Sequence, residues 1–220
     1  MRLARRLQGV ADLFKVGSKL FTAEGPHAVR KLAAIGAEIF LDLKFHDIPN
    51  TVAGAVAAAA ELPHVRLMTL HASGGVAMMR AARKALARRK PRPLLFGVTM
   101  LTSLDASDLR RFGLSRLPAT YVVALALLAK EAGLDGVVAS ANEVRAVRRA
   151  CGSKFLIMVP GVRPAGASLD DQSRVATPAE ATRTGADFLV VGRPITAAAN
   201  PRAAAQAIAK EIAASAHARR

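Results

Sequence analysis

The sequence predicts a parallel α/β architecture in a single domain. Two observations carry that reading. Apolar strand-like runs alternate with alanine-rich or amphipathic stretches along the chain. The strand-like runs are apolar in the manner of strands covered by helices on both faces.

The elements follow in order. Residues 1–9 read as a helix, with Leu3, Leu7 and Val10 on one face. Residues 11–16 form a short strand that Gly17 ends. Residues 26–35 form a helix, with Pro26 in its first turn and Gly36 as its stop. In the next strand Ile39, Leu41 and Leu43 alternate with Phe40, Asp42 and Lys44, so both charges point to one side. His46, Asp47, Pro49 and Asn50 break that strand, and Thr51 opens an alanine-rich helix over 51–62. Strand 65–72 ends in His71-Ala72-Ser73-Gly74-Gly75 and leads to helix 76–89. Strand 93–100 is followed by Leu101-Thr102-Ser103, a polar connection and helix 119–132. Strand 136–140 precedes helix 141–150, and strand 154–159 runs into Pro160-Gly161-Val162-Arg163-Pro164. A polar, glycine-containing loop spans 166–175. Helix 177–184 has Thr177-Pro178 as its N-terminal signal. Strand 186–191 ends in Gly192-Arg193, and helix 203–214 closes the pattern. That makes seven strands and eight helices.

With 220 residues, 52% of them apolar, the chain suffices for one sizeable domain and is short for two. A single cysteine, Cys151, permits no intrachain disulfide and fits a reducing compartment. Between a helix-type run and Gly152 it reads as a structural thiol. No apolar run has the length of a membrane span, and the arginine-rich N-terminus lacks an apolar signal core. A cytoplasmic protein is expected. The formal charge of +16 raises nucleic-acid binding, but the basic residues are spread over helices and aromatics make up only 4%. The excess is therefore read as solvated helix faces that favour an anionic small-molecule substrate.

Asp42 and Lys44 stand side by side at the end of a strand, with Asp47 just beyond. Asp-x-Lys alone describes an ordinary surface ion pair, worth little. An apolar strand that turns two charges inward, however, needs a reason to bury them. The longer string Asp42-x-Lys44-x-x-Asp47-Ile48-Pro49-Asn50-Thr51 resembles the signature of the orotidine 5′-phosphate decarboxylase family. Further likeness lies in Phe14-Lys15-Val16-Gly17, His71-Ala72-Ser73-Gly74-Gly75, Leu101-Thr102-Ser103, Pro160 to Pro164, and Gly192-Arg193-Pro194. All but the first fall at C-terminal strand ends or just after, where barrel enzymes place their chemistry.

The resemblance implies a TIM-type (β/α)8 barrel and the decarboxylation of orotidine 5′-phosphate to uridine 5′-phosphate, the last step of pyrimidine nucleotide synthesis, without metal or cofactor. A complete barrel needs one more strand before residue 1, carrying a ribose-binding aspartate. Nothing before Leu7 supplies it, so the expected barrel lacks its first strand. Lys44 is the implied proton donor to C6, with Asp42, Lys15 and Asp47 completing the charge array. Lys15, Asp42, Asp47, Ile48, Thr51, Thr102, Arg163, Gln172, Gly192 and Arg193 are the implied substrate contacts. Gly192 and Arg193 take the phosphate, Gln172 bridges phosphate and base from a lid loop, and Thr102 meets the pyrimidine edge. The resemblance also implies a homodimer in which Asp47 and Thr51 reach the partner's site. Two alternatives stay open at this point. One is a sugar-phosphate decarboxylase or aldolase of the same superfamily, which would need a metal. The other is a non-catalytic nucleotide-binding remnant.

Overall fold

Strand runs and helix caps in the sequence fix where each element of this computed structural model begins and ends. The structure describes residues 1–115, 117–164 and 176–217. In chain order the elements are α1 (Arg2–Leu7), β1 (Phe14–Gly17), α2 (Ser18–Glu24), α3 (Pro26–Ala33), β2 (Ile39–Phe45), α4 (Pro49–Ala60), β3 (Val65–His71), α5 (Gly75–Ala85) and β4 (Leu94–Val98). They continue with α6 (Ala106–Arg111), α7 (Pro118–Glu131), β5 (Gly136–Val138), α8 (Val144–Cys151), β6 (Leu156–Val159), α9 (Pro178–Thr184), β7 (Phe188–Leu189), α10 (Arg193–Thr196) and α11 (Pro201–His217).

The seven expected strands are present among the described residues. The eight expected helices become eleven α-helices among the described residues, for three physical reasons. Residues 18–24 wind directly after Gly17, which caps them without any side-chain hydrogen bond. The expected polar connection after Thr102 contains α6, which Asp105 and Asp108 cap reciprocally. Residues 193–196 make a single turn behind Gly192. The start of α4 also moves: Pro49, not Thr51, occupies its first turn, where a missing N–H costs nothing.

The chain forms two compact units. The first comprises residues 1–98 and 128–135. Its strands β1, β2, β3 and β4 pair in parallel in chain order. Its core is built from Val16, Ile39, Leu41, Leu67, Met68, Leu70, Leu95 and Phe96, none more than marginally exposed. Gly97 lets that core close: a Cβ there would stand 3.3 Å from both the Ala129 Cβ and the Leu134 Cδ1. The second unit comprises the described residues of 99–127 and 136–220. Its strands β5, β6 and β7 also pair in parallel, over Val137, Ile157, Met158 and Val159.

Each unit carries the same brace at the start of a strand. In the first, Asp135 N–H donates to the Leu95 carbonyl at 3.1 Å, and the Asp135 carboxylate accepts the Leu95 N–H at 2.8 Å. Arg92 then forks onto both Asp135 oxygens at 2.7 Å. In the second, Asp187 exchanges the same two bonds with Ile157, each at 2.8 Å, and Arg148 bonds its carboxylate at 2.6 Å. Groups at the N-terminal ends of barrel strands serve stability and not chemistry. Asp135→Ala is therefore expected to cost about 2–3 kcal/mol by orphaning the Leu95 amide and the Arg92 guanidinium. Thermal unfolding should show it as a melting-temperature loss of about 5–10 °C, and an unchanged melt would refute the brace.

Candidate active site

The charged cluster at the end of β2 is assembled by a bulge. Leu41 pairs with Met68 and Phe45 with Leu70, so residues 42–44 stand opposite the single residue Thr69. Simple strand alternation, the expected arrangement, does not hold across this segment. The extra residues are absorbed at Lys44, whose φ of +51° lies in the left-handed region that a side chain rarely adopts. Bulges of this kind re-aim side chains next to active sites.

The result is a compact array around one carboxylate. Asp42 is 8% exposed. The Lys44 Nζ donates to Asp42 Oδ1 and Oδ2, both at 2.8 Å. Lys15 Nζ stands 3.5 Å from Asp42 Oδ2. Lys15 belongs to β1, where Gly17, not Lys15, is the register partner of Asp42. The lysine reaches the carboxylate by folding over that glycine, at which a Cβ would stand 2.8 Å from Nζ. Thr69 Oγ1 donates to Asp42 Oδ1 at 2.9 Å and accepts the Lys44 backbone N–H at 3.1 Å. A carboxylate that gave up water for this position is thus ringed by two ammonium groups and a hydroxyl.

The loop beyond the strand has a different character. Asp47, Ile48 and Thr51 all face solvent. Asp47 Oδ1 accepts the Ile48 N–H at 2.6 Å, and Asp47 makes no ion pair among the described residues. The Ile48 side chain is 67% exposed, unusual for a large apolar group.

His46 lies in the loop just after β2, and His71 ends β3. Their rings meet, with centroids 5.3 Å apart and planes tilted by 43°. Burial pushes the His71 imidazole below its ordinary value. Neighbouring His46 and Lys44 push it the same way, and Asp42 opposes them. Folded His71 therefore binds fewer protons than unfolded His71. Its contribution to stability is complete above the unfolded value of about 6.5 and declines as pH falls below it. The melting temperature is expected to drop between pH 7.5 and 5.5, and His71→Asn should flatten that drop. Glu38 and Glu180 are held below the usual carboxylate range by hydrogen bonds from Arg66 and Thr177. They act only at pH values near and below about 4.5, so the two windows separate. An unaltered slope in His71→Asn would refute the assignment.

In the second unit, Thr102 lies half-buried in a turn. It is not the cap of the next helix, since Asp105 holds that position. Arg163 is 6% exposed, and its N–H donates to the Ala176 carbonyl at 3.0 Å. Gly192 and Arg193 are exposed at the start of α10, and a Cβ on Gly192 would meet nothing within 4 Å. Gln172 lies outside the described residues. Cys151 is buried. Thr69 was missed by sequence reasoning. The available signal was one hydroxyl in the apolar strand Val-Arg-Leu-Met-Thr-Leu-His, but threonine is also a favoured strand former.

Residues 1–208 match the profile of the orotidine 5′-phosphate decarboxylase / HUMPS family. An orotidine 5′-phosphate decarboxylase from Moorella thermoacetica is 55% identical over 217 residues, spanning 96% of this chain and 86% of that protein. One from Nitrosococcus oceani is 52% identical, spanning 96% and 91%. Among solved structures, an orotidine 5′-phosphate decarboxylase from Lactobacillus acidophilus is 41% identical with a TM-score of 0.81, covering 96% of this chain and 93% of that one. The fold class is thus the TIM-type β/α fold expected from the sequence, with seven strands among the described residues.

Proposed function

The chain belongs to the orotidine 5′-phosphate decarboxylase family, and from that premise we propose that it converts orotidine 5′-phosphate to uridine 5′-phosphate and carbon dioxide. The observation that carries this reading is the Lys15–Asp42–Lys44 array, with Lys44 bonded to both carboxylate oxygens at 2.8 Å.

The reaction breaks the bond from C6 of the pyrimidine to its carboxylate. Carbon dioxide leaves, and the electron pair stays on C6. Lys44 stabilises that developing charge as a preorganised cation and then delivers a proton from Nζ to C6, leaving a neutral amine that water reprotonates. Asp42 holds Lys44 against the reacting carbon and stands close to the departing carboxylate. Lys15 bonds Asp42 and the ribose. In this reading Gly192 and Arg193 take the phosphate, Thr102 the pyrimidine edge, and Arg163 and Gln172 further substrate contacts. Binding energy from those remote groups is realised in the transition state. Exposed Asp47 and Thr51 serve the site of a second copy, which makes the protein a homodimer, and Ile48 adds a substrate contact. A cytoplasmic location accords with this chemistry.

The metal-dependent sugar-phosphate alternative is disfavoured by Lys15, whose ammonium stands 3.5 Å from Asp42 where that reading needs an acidic ligand. Mixing the chain with orotidine 5′-phosphate in the presence of a chelator should bleach the orotate absorbance. Light scattering at the same concentration should give a dimer mass. Binding of the nucleotide without bleaching would reject the decarboxylase reading in favour of a binding remnant.

A further inference from the structure

We propose that Thr69 is a positioning residue for decarboxylation, whose hydroxyl fixes the Lys44 backbone and the Asp42 carboxylate in one geometry. This role rests on the decarboxylase reading.

The argument starts from the bulge. Residues 42–44 face one residue of β3, so the local ladder cannot satisfy every amide. The Lys44 N–H finds an acceptor in the Thr69 Oγ1. A hydroxyl donates one hydrogen and accepts others. Thr69 uses both capacities on the same array: it accepts from Lys44 at 3.1 Å and donates to Asp42 Oδ1 at 2.9 Å. Thr69 is fully buried, so water does not compete for either bond. Its β-branched side chain is stiff at χ1, which aims the hydroxyl at one place. Lys44 is held at its unusual φ from the backbone side, while Asp42 holds its Nζ from the other end. Loss of the hydroxyl frees both at once, while an isosteric methyl preserves the packing between β2 and β3.

Thr69→Val removes the hydroxyl at nearly constant shape, Thr69→Ala is a second hydroxyl-free variant should valine fail to fold, and Thr69→Ser keeps the hydroxyl. In the hydroxyl-free variant kcat is expected to fall about 100-fold, the scale of a misplaced catalytic group. The Kd for the product uridine 5′-phosphate should change less than threefold, and the serine variant should recover kcat to within about fivefold of the parent. Hydrogen exchange of the Lys44 amide gives a readout independent of turnover. Its protection should fall at least tenfold without the hydroxyl and persist in serine, since one lost bond of about 1.4 kcal/mol is tenfold. A hydroxyl-free variant with kcat within threefold of the parent overturns the proposal. So does a loss of product affinity in step with kcat, or Lys44 protection equal to the parent's. A parent chain that leaves orotidine 5′-phosphate intact overturns the decarboxylase reading itself; the exchange comparison then still decides whether Thr69 holds Lys44.

Discussion

Lys44→Ala is expected to lower kcat for orotidine 5′-phosphate by about 10⁴-fold or more. Two contributions disappear together: the proton donor, worth about 10²–10⁴-fold, and a preorganised cation, worth about 10²–10³-fold. Because one group supplies both, the losses need not multiply in full. The variant should still fold, since Asp42 keeps Lys15 and Thr69 as partners. Substrate affinity conferred by remote groups should survive, so the loss belongs in kcat. Stopped or overnight assays of orotate bleaching, paired with a thermal melt, decide the matter. A folded variant within tenfold of the parent would remove Lys44 from the chemistry.

The second large effect is expected at Asp42. Asp42→Asn keeps the shape and removes the charge, and kcat should fall about 10³-fold. Asn offers one acceptor oxygen where Lys44, Lys15 and Thr69 now share two. Its amide hydrogens also point at an ammonium that needs an acceptor. Lys44 then loses its restraint and the two lysines lose the anion between them. If Asp42 also repels the substrate carboxylate before reaction, KM should fall alongside kcat. Steady-state kinetics separate the two contributions. Unchanged kcat would make Asp42 a structural ion-pair partner and nothing more.

Much of this molecule was legible from its residues. All seven strands are legible, because each is an apolar run between clear breakers, although β1 and β3 to β7 are shorter than expected. Thr177 caps α9 with Pro178 in its first turn, as expected, and Glu180 completes the capping box. Short helices escaped because helix α6 takes its stability from Asp105 and Asp108, which resemble a polar loop in sequence. Lys15, Asp42 and Lys44 were found, and the structure brings them together. Their route to one another was not legible. Period-two alternation places Asp42 and Lys44 on one face, yet an irregular register does the work, and register depends on the neighbouring strand. Thr69 escaped for the same reason, since its partners lie 27 and 25 residues away. The meeting of His46 and His71 rings is likewise a tertiary fact.

The left-handed backbone at Lys44 also bears on how this chain can change. A residue with a Cβ in that region is disfavoured by about 1–2 kcal/mol relative to its normal conformation. Glycine, or to a lesser degree asparagine, relaxes that local frustration. Any search that ranks substitutions by folding free energy alone would therefore select against the side chain to which we assign the proton transfer. Stability and turnover pull in opposite directions at this one position. Directed evolution for thermal tolerance would need an activity screen to retain it, whereas positions such as Asp135 could be optimised on stability alone.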